Sequence, residues 1–118
     1  MAGKPVPMLC LYRPKQGKAR AFRALLDAHW PALRAAGLAS SRRPTLFRAT
    51  DRTGRTVFVE TFEWKDGRAA YRAHTTPEIM EIWGPMERLG EWMDFLELAP
   101  VRPARAARMG RKRTLAAG

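Results

Sequence analysis

The stretch Arg55–Trp64, R-T-V-F-V-E-T-F-E-W, decides the fold. β-Branched and aromatic residues dominate it and alternate with a period of two, which is the pattern of a strand. Phe58, Glu60, Phe62 and Trp64 fall on one face; Val57, Val59, Thr61 and Glu63 fall on the other. Just upstream, Asp51-Arg52-Thr53-Gly54 is turn chemistry, and Thr45–Thr50 reads as a second strand. The two form a hairpin.

Outward from the hairpin the remaining elements follow. Val6–Tyr12 (V-P-M-L-C-L-Y) is a short apolar run closed by Arg13-Pro14, a strand apolar on both faces. From Lys18 to Ala36 the residues Phe22, Leu25, Leu26, His29/Trp30 and Leu33 recur at three- and four-residue spacing, an amphipathic helix. Pro31 is expected to kink it, and Gly37-Leu38 reads as its C-terminal cap. After Trp64, Lys65-Asp66-Gly67 opens a helical segment reaching His74. Thr76-Pro77-Glu78 restarts the helix with an N-cap candidate, a proline at the first position and an acid in the first turn. Ile79, Ile82, Trp83, Met86 and Leu89 share one face, with Gly84-Pro85 an expected irregularity and Gly90 the stop; Trp92–Ala99 reads as the last strand.

The order β-α-β-β-α-β predicts an α+β, ferredoxin-like subunit: a four-stranded antiparallel sheet with both helical segments on one face. Helices cover one face of a sheet, yet the first and third strands are apolar on both. The uncovered face therefore predicts a second layer, most simply the same sheet of a second copy, hence a homodimer.

Charge bears on function. The chain has 22 Lys and Arg against 11 Asp and Glu, a formal net charge of +11. Such a balance makes nucleic acid the first partner to weigh. The excess is unevenly placed, however. Residues 101–118 hold 6 basic and no acidic side chains and almost no large apolar residue, the composition of a basic disordered tail. The folded domain, residues 6–100, keeps 15 basic against 11 acidic. The tail suits loose, salt-sensitive association with polyanions, so a non-catalytic binding protein acting through its tail is the alternative function.

Other classes are set aside by what the sequence lacks. No run approaches the ~20 apolar residues of a membrane-spanning helix, and the first residues lack the apolar core of a signal peptide. Cys10, the single cysteine, forms no intrachain disulfide, and with His29 and His74 alone beside it there is no zinc-type spacing. A soluble, cytoplasmic protein without cofactor or metal is expected. RNA-recognition domains share the element order, but their third strand displays aromatic residues for base stacking. Aligned on Phe58-Val59, this strand has Thr56 and Thr61 at two of those aromatic positions, and Glu60 on the stacking face would repel phosphate.

Residues 6–100 resemble the antibiotic-biosynthesis-monooxygenase-like family of dimeric α+β barrels. The likeness rests on Phe58-Val59-Glu60-Thr61-Phe62-Glu63-Trp64-Lys65, on His74 ten residues after Trp64, on Thr76-Pro77-Glu78 and on Ile82-Trp83 leading to Leu89. The segment from His29-Trp30-Pro31 to Gly37-Leu38 is similar to the family's first helix. The resemblance implies a dimer whose sheets face each other, with each subunit's pocket between its own sheet and helices. It does not fix one activity, since the family includes cofactor-independent oxygenases, haem-degrading enzymes and isomerase-like members; the expected function is that of a small-molecule-binding protein resembling cofactor-independent monooxygenases acting on aromatic or quinone-like compounds. The family's haem-degrading branch carries an Asn in the first strand, a Trp in the second helix and a His about ten residues beyond. This chain lacks that set.

Within this frame His74 and Tyr12 are the candidate catalytic residues. A neutral imidazole at a helix break can take a proton from a phenol or hydroquinone, and a tyrosine can orient the oxygen being deprotonated. Trp64, Tyr71 and Trp83 are the candidate walls of an aromatic-binding pocket. For Trp64 and Trp83 plain core packing is the competing reading; for His74 it is capping of the first helical segment or a bond to a backbone carbonyl. His29 reads as a satisfied core histidine, and Glu60 and Glu63, on opposite faces of one strand, do not form a carboxylate pair.

Overall fold

In the computed structural model, which describes residues 3–103, β1 (Val6–Pro14) and β3 (Thr56–Trp64) form the centre of an antiparallel sheet. β2 (Thr45–Thr50) flanks β3 and β4 (Gly90–Glu97) flanks β1, giving the order β2-β3-β1-β4. Helices α1 (Ala19–Ala35), α2 (Ala69–Ala73) and α3 (Pro77–Leu89) cover one face. This is the expected ferredoxin-like α+β arrangement. Among the described residues no helix is long and apolar enough to cross a membrane. Of the segment read as a tail, Val101–Pro103 are described and carry no regular structure; the remainder, with most of its arginines, lies outside the described residues.

Register explains which side chains meet. Cys10 opposes Glu60 on one side and Phe95 on the other, and Tyr12 opposes Phe58 and Met93. These residues face the helices, where Phe22, Leu26 and Leu33 of α1 and Ile79 and Met86 of α3 complete the core. The opposite face presents Leu9, Leu11, Val57 and Val59 at its centre, flanked by Phe47 of β2 and Trp92 and Leu96 of β4. Phe47 is 59% exposed.

Local chemistry sets the ends of the elements. α1 closes in a Schellman motif: Gly37 takes φ 74°, its N–H reaches the carbonyl of Arg34, and Leu38 N–H reaches that of Leu33 at 2.9 Å. Pro31 lies inside this single helical element. Thr76 precedes α3, but its hydroxyl donates back to the carbonyl of Arg72 at 2.8 Å instead of capping the new helix. β4 begins directly at Gly90, two residues before the expected start; a Cβ there would lie 3.0 Å from the carbonyl oxygen of Met86, so glycine eases the close junction of helix and strand.

Candidate active site

A cavity of about 350 Å³ lies between the inner face of the sheet and the helices. That size is at the lower end of small-molecule sites. β1 contributes Met8, Cys10 and Tyr12, β3 contributes Phe62 and Trp64, and β4 contributes Met93 and Phe95. α1 supplies His29; the α2–α3 segment supplies Ala70, His74, Met80, Trp83 and Glu87 among others. The walls are aromatic and thioether groups with a few convergent polar atoms, which is the composition of a site for a flat apolar ligand.

Of the expected site residues, Tyr12, Trp64, His74 and Trp83 line this cavity. Tyr71 does not. It sits on the outer side of α2, 78% exposed, because a five-residue helix that buries Ala69 and Ala73 must turn the residue between them to solvent. Trp64 and Trp83 meet edge to face at 6.4 Å, and Trp83 also stands edge-on to His74 at 5.0 Å.

The position of each ring proton on His74 follows from its partners. Nδ1 lies 2.9 Å from the carbonyl oxygen of Ala70. A carbonyl only accepts, so Nδ1 carries the hydrogen and the lone pair of the neutral ring is at Nε2. Among the described residues Nε2 has no hydrogen-bond partner.

Tyr12 is differently engaged. Its hydroxyl donates to Oε1 of Glu60 at 2.6 Å, and the residue is 0% exposed. That hydrogen is not available to a ligand. Burial, reinforced by the negative charge of Glu60, holds the phenol far above its ordinary titration range. Cys10, beside it on β1, is pushed up to about 12 by burial and then by the same carboxylate, so it is an inert thiol.

Glu60 is the centre of a network that crosses the fold. Both its oxygens lie 3.1 Å from Nδ1 of His29, and the two residues are each 2% exposed. Nε2 of His29 in turn accepts the indole N–H of Trp83 at 2.9 Å. The directions have one solution: an indole only donates, so Nε2 is unprotonated, the imidazole hydrogen is on Nδ1, and Glu60 accepts from His29 and Tyr12 as a carboxylate. A strand, a helix and a second strand are thereby tied at one point, and the chain ends on a tryptophan in the cavity wall.

Three solved structures place this architecture among known proteins. Rv0793 from Mycobacterium tuberculosis is 20% identical, with a TM-score of 0.63 over 86% of this chain and 99% of its own. SnoaB, a cofactor-independent oxygenase from Streptomyces nogalater, is 16% identical, with a TM-score of 0.65 over 87% and 99%. A putative antibiotic biosynthesis monooxygenase from Chloroflexus aurantiacus is 16% identical, with a TM-score of 0.61 over 86% and 97%. The chain has the antibiotic-biosynthesis-monooxygenase fold. No family model and no curated protein matches the sequence, so at these identities the likeness is one of fold.

Within the monooxygenase fold, His29 and Glu60 are the site residues that sequence reasoning missed. The signal was present. Glu60 falls on the aromatic face of its strand and His29 on the apolar face of its helix, and a carboxylate on a buried face requires a hydrogen-bonding partner.

Proposed function

We propose that this protein is a homodimeric barrel that binds a small aromatic or quinone-like compound in the cavity and oxidises it without a cofactor, with His74 as the base. The reading rests on Nε2 of His74, an acceptor with no hydrogen-bond partner among the described residues, on a ring that lines the cavity and whose orientation and tautomer are held by the Nδ1–H to Ala70 hydrogen bond. A phenolic O–H placed against Nε2 gives its proton to the imidazole. The resulting phenolate is rich enough in electrons to react with dioxygen. For a phenol with hydrogen on its para carbon, one oxygen atom of dioxygen becomes the second quinone carbonyl and the other leaves as water. The carbon is oxidised, dioxygen is reduced, and the imidazole returns its proton to the departing water. Tyr12 acts through Glu60 rather than on the ligand, and Trp64 and Trp83 wall the ring. In the dimer the face bearing Leu9, Leu11, Val57, Val59 and Phe47 meets its copy, which removes exposed apolar surface from water.

Oxygen uptake with anthrone and dihydroxynaphthalenes tests the proposal. A positioned base contributes about 10²–10⁴ to rate, so His74→Ala is expected to lose at least a hundredfold in turnover with its circular dichroism and elution volume unchanged. Unchanged turnover eliminates His74 as the base. Equilibrium binding without oxygen uptake in the parent protein reduces the function to that of a binding module.

A further inference from the structure

His29 and Glu60 are a second acid–base arrangement at the same cavity, and nothing in the role given to His74 uses them. A buried carboxylate grips Nδ1–H with both oxygens at 3.1 Å and is itself held by the Tyr12 hydroxyl at 2.6 Å. The imidazole so oriented directs its one remaining lone pair, on Nε2, toward the cavity wall. Carboxylate, imidazole and a group donating to the far nitrogen form the arrangement by which an imidazole becomes a proton acceptor, because the carboxylate fixes the tautomer and stabilises the imidazolium that forms. Here the donor at the far nitrogen is the indole N–H of Trp83, at 2.9 Å. An indole is itself a fused aromatic ring with an N–H.

We propose that Trp83 occupies the place of a ligand at His29: an aromatic compound carrying an O–H or N–H displaces the indole and donates to Nε2, making His29 a second proton acceptor of the cavity. The inference rests on the reading of the cavity as an aromatic-binding site, and beside the phenolic O–H that His74 meets it adds a second recognition point for a donor on the ring, at His29. Three features allow the exchange. Trp83 is half-buried and lines the cavity. Its remaining aromatic contacts, to His74 at 5.0 Å and Trp64 at 6.4 Å, are edge-to-face and not enclosing. It also precedes Gly84-Pro85, where Pro85 inside α3 has no N–H to give the carbonyl of Glu81, so this turn of helix lacks one of its hydrogen bonds. The exchange conserves hydrogen bonds at Nε2, so the buried acceptor is never left unpaired.

Two matched probes separate this from the role of His74. 1-Naphthol carries the donor, and 1-methoxynaphthalene presents the same rings without it. Their dissociation constants are measured by calorimetry on the full chain, on Trp83→Phe, on His74→Gln and on the Trp83→Phe/His74→Gln double variant. Trp83→Phe removes the competing N–H, so 1-naphthol is expected to gain about tenfold over 1-methoxynaphthalene relative to the parent, an effect in the range of one buried hydrogen bond. His74→Gln is expected to leave that gain intact in the double variant. If Trp83→Phe changes both affinities equally, the displacement is refuted. The parent protein gives a second readout that needs no variant. On adding 1-naphthol, the Trp83 indole proton is expected to move upfield in the proton spectrum while the His29 Nε2 resonance of ¹⁵N-labelled protein stays that of an acceptor or moves toward the protonated form. Shifts confined to His74 refute the role of His29 and leave that of His74 standing. No binding of either probe to the parent or to Trp83→Phe refutes both.

Discussion

Tyr12→Phe removes one oxygen from the centre of the molecule and little else. Its ring contacts, to Phe22 at 5.4 Å and to Phe95 at 5.9 Å, are kept by phenylalanine, and the site is fully enclosed. What is lost is the hydroxyl donating at 2.6 Å to Oε1 of Glu60. That distance belongs to the charge-assisted class of O–H···O⁻ bonds, and removing a donor from a buried charged acceptor costs about 1.5–3 kcal/mol. Water cannot replace it readily, because Glu60 is 2% exposed. For a domain of this size such a loss lowers Tm by on the order of 10 °C. The assay is urea unfolding followed by tryptophan fluorescence at one fixed protein concentration, which keeps any self-association constant between variants. The chain supplies its own control in its other tyrosine: Tyr71, 78% exposed, has no side-chain hydrogen bond among the described residues, and Tyr71→Phe is expected to stay within about 0.5 kcal/mol. In a Glu60→Gln background the acceptor is neutral, and the Tyr12→Phe cost is expected to fall to about 1 kcal/mol. If Tyr12→Phe costs no more than Tyr71→Phe, Glu60 is not the buried carboxylate that the network requires.

Alkaline pH is expected to unfold the protein through Cys10 and Tyr12. Both groups hold their protons more tightly in the fold than in the unfolded chain, where they titrate near 9.0 and 10.0, so their stabilisation is complete below pH 9 and is lost as pH rises. Each contributes up to about 1.4 kcal/mol per pH unit, and in thermal melts Cys10→Ala is expected to move the onset of the decline from about pH 9 to about pH 10. An unshifted onset removes the thiol from this account. Val59→Lys sets a charge at the middle of the outer sheet face, through which we propose that two copies pair, and is expected to sediment as a monomer where the parent sediments as a dimer; a sedimentation coefficient equal to the parent's excludes this face as the interface.

The sequence by itself determined the fold, because the information lies in short-range periodicity. The alternation in Thr56–Trp64 marked which side of β3 is buried, and the helical spacing of Phe22, Leu26 and Leu33 marked the face that covers it. Gly37 and Gly90 were legible as stops from the local pattern, although one acts through its positive φ and the other through its close approach to Met86. Boundaries were less so: β1 runs through Arg13-Pro14 because β4 pairs along it as far as Gly90, and that pairing is not a property of the segment.

The site was only partly legible. Trp64, His74 and Trp83 came from the strand-to-helix run, whereas Tyr71 was misplaced because the rotation of a five-residue helix is set by what it packs against and not by its own pattern. His29 and Glu60 lie 31 residues apart on a helix and a strand, and nothing local shows that docking α1 on the sheet brings Nδ1 to both carboxylate oxygens. Nor does the sequence reveal that Trp83, 54 residues further along, closes the other side of the imidazole. Periodicity tells each residue which way to face. Only the packing of the layers decides which buried polar group it meets, because a hydrogen bond depends on approach to within a few tenths of an ångström, and that precision belongs to the assembled core.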